Sequence, residues 1–401
     1  MPDVMKTRIL LTTAAALSIC NLSAYDLHEW GTFTTVAGSD GVLLTGLERE
    51  EEALPSYVRH HPGFMNHHPA FANVFMKRMP VPARNVKVKM ETPVIYFHSD
   101  EAFTAKVKVG FEGGTISQWY PERSGGESIR FPDPGSAAGP RYLDFAKPYT
   151  GSIEWEIDVL SPEESRETIL FKSEDLLQWT RARIPEANVV RDSSGATEGF
   201  LFYRGLGSFT PGLTTRVSQD ETLSLTNDTE GAIPYLLIYE RQANGTHWWT
   251  EHKGLAKGET IRFSEADLSR EGKGTFDSEL YLSLSRNLAQ QGLLKSESRA
   301  MVETWWKSYF AAPGLRVFWV LPDARTEAIL PLEVSPAPEK TVRVLVGRSE
   351  IIRPRQEALW LSQANSKDDN EKNAWNMLTL SDRFGAAYLE RVQALQQQAK
   401  H

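Results

Sequence analysis

The chain has 401 residues, 41% of them hydrophobic and 24% charged, which excludes a largely disordered polymer. Its formal charge of −8 supplies no excess of cations to displace counterions, so nucleic acid is not the expected partner. The length fits two domains, or one large β-rich unit with additions.

Residues 1–24 read as a secretory signal. Lys6 and Arg8 precede an apolar core from Ile9 to Ile19, and Leu22-Ser23-Ala24 offers a cleavage site. The apolar run falls short of the roughly 20 residues that a membrane span needs. The single cysteine, Cys20, would leave with the signal. The mature chain is therefore expected to be exported, periplasmic or extracellular, and free of disulfides and thiolate metal sites. No later segment is long and apolar enough to span a bilayer, so a soluble mature protein is expected.

Strand signals dominate residues 25 to about 265. Thr32–Val36, the turn Ser39-Asp40-Gly41 and Val42–Leu44 predict a hairpin, because Asp-Gly supplies the positive φ of a tight turn. Val86, Val88 and Met90 alternate with lysines, as do Ala105, Val107 and Val109. Ile153, Trp155, Ile157 and Val159 alternate with acidic residues. This period of two predicts antiparallel strands wet on one face. The continuous apolar runs Phe200–Tyr203 and Tyr235–Tyr239 predict central strands. Ser161-Pro162-Glu163-Glu164 is a capping-box helix start. Past residue 275, Met301, Trp305 and Tyr309 recur at helical spacing beside Val302, Trp306 and Phe310, with Ser296 as expected N-cap. Strands are expected at 315–321, 328–334 and 341–352. A final amphipathic helix carries Phe384, Tyr388, Val392 and Leu395, with Ser381 as its expected cap.

These elements predict an α+β, β-rich fold. Its antiparallel β-sandwich-like core spans 25–272, with long loops at 45–85 and 121–141. A mixed helix and strand portion, 273–401, packs on it. Loops this long are uncommon unless they carry function.

The mature N-terminus reads Leu27-His28-Glu29-Trp30-Gly31-Thr32-Phe33-Thr34. Further on stand Met90-Glu91-Thr92-Pro93-Val94-Ile95-Tyr96-Phe97, Phe202-Tyr203-Arg204-Gly205-Leu206-Gly207 and Val344-Leu345-Val346-Gly347-Arg348 with Glu350. In these segments the chain resembles a group of exported bacterial proteins that open with His-Glu-Trp-Gly-Thr-Phe-Thr. The resemblance implies an exported, disulfide-free protein. It brings no activity, cofactor or catalytic residue with it.

The residues themselves offer candidates. His28 and Glu29 are strand neighbours, so they should point to opposite faces. Glu91, held extended before Pro93, sits at the mouth of an apolar strand, where desolvation would raise its pKa. Arg204 lies between apolar Phe202-Tyr203 and Gly205. Glu29, Glu91 and Arg204 are thus candidate catalytic residues; the competing expectation is a buried Glu91–Arg204 or Glu29–Arg204 ion pair that fixes register. His60, His61, His67 and His68 fall within nine residues and, with His28, are candidate ligands for a divalent metal such as zinc. Their spacing matches no standard zinc motif. Glu91 or His98 could complete such a site. Thr246–His252 could form an aromatic platform for sugar stacking, against the alternative that its tryptophans are core. There is no nucleotide-binding glycine motif and no nucleophile elbow. The expected function is binding of a ligand or cell-envelope component through loops on the β-scaffold. The alternative is a metal-dependent or Glu acid/base hydrolase of an extracytoplasmic polymer.

Overall fold

The computed structural model describes residues 24–50, 54–61, 83–129, 143–170, 178–267 and 270–400. The expected signal, His67 and His68 lie outside the described residues, as do most of the 45–85 loop and the second half of the 121–141 loop.

An eleven-stranded sheet organises the molecule. Its strands are β1 (Tyr25–Ala37), β2 (Arg59–His60), β3 (Val88–Met90), β4 (Val94–Ser99), β6 (Gly114–Tyr120), β8 (Leu201–Gly207), β11 (Ile233–Arg241), β12 (His247–Leu255), β14 (Arg270–Gly272), β15 (Gly314–Val320) and β17 (Lys340–Ile351). The order is β14-β12-β11-β15-β17-β1-β3-β8-β6-β2, with β4 joined to β1 and β8. β1 is central and almost wholly buried, which explains its continuous run of β-branched and aromatic residues. It runs parallel to β17 from Asp26↔Lys340 to Ala37↔Ile351. The expected hairpin is reduced to a single bridge, Ala37↔Leu43. Gly41 does take positive φ, but β1 finds its partners elsewhere.

One face of this sheet packs on two smaller sheets. The first is built around β5 (Phe103–Glu112), β7 (Thr150–Val159) and β16 (Leu332–Ser335); the second contains β9 (Leu213–Val217), β10 (Leu223–Asn227) and β13 (Thr260–Phe263). Their apolar residues, among them Val107, Val109, Trp155 and Leu225, share a core with Leu27, Phe33, Met90 and Trp319. On the outer face of β5 and β7 the lysines and acids pair across strands, Lys106 with Glu156 at 3.3 Å. The alternation in the sequence is therefore a sandwich with a wet outer face.

α1 (Pro162–Glu167), which follows β7 and buries no residue, begins with the expected capping box at Ser161. The opposite face of the large sheet is covered by two groups of later helices. α2 (Ser278–Ala289) and α3 (Lys295–Trp305) form a hairpin, α3 passing into a π-helical turn, Trp306–Phe310. They seal a second core with Trp30, Tyr96, Phe202 and Phe318. α5 (Pro354–Asn365), α6 (Asp369–Ser381) and α7 (Gly385–Gln398) seal a third, around Val36, Leu206, Trp360 and Trp375. Two details differ from expectation. Residues 328–334 divide between helix α4 (Asp323–Ile329) and the short strand β16. The helix caps fall at Leu294 and Phe384 rather than at Ser296 and Ser381. The expected boundary at 272/273 falls within one sheet: β15 and β17, from the C-terminal portion, lie between β11 and β1.

Candidate functional site

Strand parity decides where the predicted residues go. His28 and Glu29 do point to opposite faces of β1. Glu29 faces the sandwich interior, where its carboxylate accepts hydrogen bonds from Tyr203 Oη and Arg343 Nε, each at 2.6 Å. Arg343 is its register partner on β17 and also binds Glu327 at 2.6 Å. Glu29 is 3% exposed. Burial, then the Glu29 charge, pushes the Tyr203 phenol well above its ordinary range.

Glu91 and Arg204 lie on the helix-covered side, but they do not pair through their side chains. Arg204 donates to the Glu50 carboxylate at 2.8 Å and to the Glu91 main-chain carbonyl at 2.5 Å. The Glu91 carboxylate pairs with Arg383, in the turn between α6 and α7. Lys89, 1% exposed, completes the group at 2.9 Å from Glu50. Expecting the Glu91 pKa to rise is therefore wrong. Burial does push it up, but Arg383, Lys89 and Arg204 outweigh burial and hold it at about 2. Next in the same belt, Glu350 binds Arg316 at 2.6 Å and Arg348 at 2.7 Å. Buried ion pairs are present, then, with partners other than those expected.

His60 and His61 lie at the far edge of the sheet. β2 pairs with β6, so four strand-to-strand steps of about 4.8 Å, ~19 Å in all, separate it from β1. His60 is exposed. His61 is buried against Trp119, ring centroids 5.0 Å apart. Burial and then Arg123 lower its pKa to about 4. The structure does not bring these two histidines to His28.

It brings His98 and Glu297 there instead. β1 and β4 are antiparallel with His28↔Tyr96 in register, so His98, two residues on, shares the face of His28. Glu297 comes down from the first turn of α3, where it is the N3 carboxylate and accepts the Leu294 amide at 2.8 Å. His28 Nδ1 lies 2.8 Å from Oε2 and 3.0 Å from Oε1 of Glu297; His98 Nε2 lies 2.9 Å from Oε1. Burial pushes the Glu297 carboxyl up, but hydrogen bonds from His28 and His98 bring it to about 2. Sequence reasoning missed Glu297. Its only local mark is a glutamate three residues after the start of a helix, which reads as a cap.

The Thr246–His252 segment forms most of β12. Trp249 is 1% exposed and Trp248 half-buried, so this stretch serves mainly as core. An open aromatic group lies nearby instead. Phe276, Tyr281 and Trp306 meet at the N-terminus of α2, with centroids 4.8 to 6.0 Å apart. Phe276 is 56% exposed. Trp306 Nε1 donates to the Thr275 carbonyl at 2.7 Å, and Tyr281 Oη to Glu303 at 3.0 Å. Their polar ends are thus anchored. Beside the rings is a cavity of about 460 Å³ lined by Trp249, Arg270, Lys273, Phe276, Asp277 and Glu279.

No family model matches the chain. No curated protein matches it either. Among solved structures, the yeast delta-COP-I mu-homology domain complexed with Dsl1 WxWxV peptide aligns over 82% of this chain and 96% of its own, at 6% identity and a TM-score of 0.24. A likeness at that level carries no argument about fold or function.

Proposed function

We propose that the protein is an exported bacterial protein that binds a saccharide-bearing component of the cell envelope in the cavity at the N-terminus of α2. The observation that carries this reading is the exposed ring of Phe276, backed by half-buried Tyr281 and Trp306, in the wall of a cavity also lined by Arg270, Lys273, Asp277 and Glu279. Sugars present C–H faces that suit aromatic rings and hydroxyls that suit charged side chains. Hydrogen bonds hold Trp306 and Tyr281 half-buried against the second core, and Phe276 stands exposed at the cavity wall. Export rests on residues 1–24, and a periplasmic or extracellular destination would place the cavity before such ligands. A hydrolase built on Glu29 or Glu91 gains no support, because each carboxylate is only 3% exposed and engaged in ion pairs.

The test is a binding screen of soluble peptidoglycan fragments and oligosaccharides, read by calorimetry. Trp306→Ala and Phe276→Ala are each expected to weaken the selected ligand about tenfold, ~1.4 kcal/mol, with the circular dichroism unchanged. Retention no greater than that of an unrelated control protein, or variants binding as tightly as the parent, would overturn the reading.

A further inference from the structure

His28, His98 and Glu297 come from β1, β4 and α3, three elements far apart in sequence, and converge at one point. The donor atoms lie within 4.8 Å of one another. Both imidazoles reach Oε1 of Glu297, His28 Nδ1 at 3.0 Å and His98 Nε2 at 2.9 Å. Oε2 is occupied by the Leu294 amide and by His28, each at 2.8 Å. One carboxylate oxygen thus holds the helix while the other faces two nitrogen donors.

We propose that His28, His98 and Glu297 form a three-ligand site for a divalent transition metal ion, with a fourth position for water on the His98 side. Two neutral imidazoles and one carboxylate are the donor set of zinc sites that keep a position open. Bond lengths of about 2.0–2.2 Å in a tetrahedron place neighbouring donors about 3.3 Å apart. The contacts to Oε1 therefore need to open by only about 0.3–0.4 Å, a small adjustment within side-chain rotamer wells. Imidazole ligates such an ion through a lone pair, with the ring proton on the other nitrogen. The rings meet edge to face, centroids 4.9 Å apart, rather than stacked, so their lone pairs can converge. The side chain of His98 is 19% exposed, against 3% for His28 and none for Glu297. Solvent therefore reaches the cluster at His98.

This site is independent of the saccharide cavity. Trp306 follows Glu297 by nine residues along α3 and its π-helical end, about 13 Å at 1.5 Å per residue. Either proposal can fail without the other.

The experiment uses the mature protein without a histidine tag, stripped by chelator and titrated with Co²⁺ and then Zn²⁺. One Co²⁺ per chain is expected, with visible d–d absorption that Zn²⁺ displaces. His98→Ala, a change at the solvent rim, is expected to weaken Co²⁺ binding at least tenfold with the circular dichroism unchanged. Glu297→Gln is expected to do the same, since Gln at N3 still accepts the Leu294 amide and keeps the helix start. A variant with His60, His61, His67 and His68 all changed to Ala is expected to keep the absorption band. Absence of saturable binding, binding unaltered in His98→Ala, or loss of the band in the loop variant would each overturn the proposal.

Discussion

Glu91 stays ionised because Arg383, Lys89 and Arg204 surround it, and that gives the fold a measurable acid dependence. Its carboxyl has an ordinary value of 4.5 and is held at about 2 in the folded chain. Below pH 4.5 the unfolded chain takes up a proton that the folded chain refuses until about pH 2. The stabilising contribution is therefore complete above pH 4.5 and is lost as the pH falls through about 2. Urea unfolding across this window should show a midpoint that drops on acidification. Glu91→Gln should flatten that slope and cost about 3–5 kcal/mol at neutral pH, because it breaks the largely buried ion pair with Arg383. A variant with the parent's acid slope would contradict this account. Sequence parity alone placed His28 and Glu29 on opposite faces, and burial of the charged candidates in ion pairs was also legible. The partners were not: Arg343 lies 314 residues from Glu29, and Arg383 lies 292 from Glu91. Glu297 was hidden for the same reason, 269 residues from His28. Spacing rules see only neighbours along the chain, and these sites are assembled from strands and helices distant in sequence.

Among elements, strands were legible where one face is wet, as in β5 and β7, because charge and apolarity alternate there. They were less legible in the middle of the sheet. β1 carries an acceptable hairpin turn, yet on the edge of the Ala37↔Leu43 bridge β3 pairs with Phe33 and Thr34, while β17 runs along the opposite edge for twelve residues. The 328–334 stretch was misread because its short apolar run suits a buried helix end as well as a strand. Tight packing within β17 supplies an element-scale test. Gly347 faces Trp319, and a Cβ at that position would lie 2.3 Å from the indole. Trp319 is fully buried and packs edge to face on Phe33, centroids 5.6 Å apart. Gly347→Ala should therefore destabilise the protein by about 1–3 kcal/mol through overpacking, read as a lower urea midpoint. An unchanged midpoint would mean that the indole has room to move.

For the whole molecule, a β-rich α+β scaffold was legible from composition and periodicity, but its division into two portions was not a division of the sheet. β15 and β17 join the strands that precede residue 272 through continuous ladders. A fragment ending at residue 272 would expose the edges of β1 and β11 and the apolar face that α2 and α3 cover. Such a fragment should lack a cooperative unfolding transition by calorimetry, whereas a separately folding domain would show one.

The placement of β1 beside β17 has a consequence for biogenesis. β1 cannot complete its pairing until about 350 residues have been made, since its parallel neighbour ends at Ile351. Closing so distant a contact is slow. Until synthesis has almost finished, β1 has its native partners on one edge only, in β3 and β4. The late arrival of β17 thus acts as a timer on closure of the central sheet.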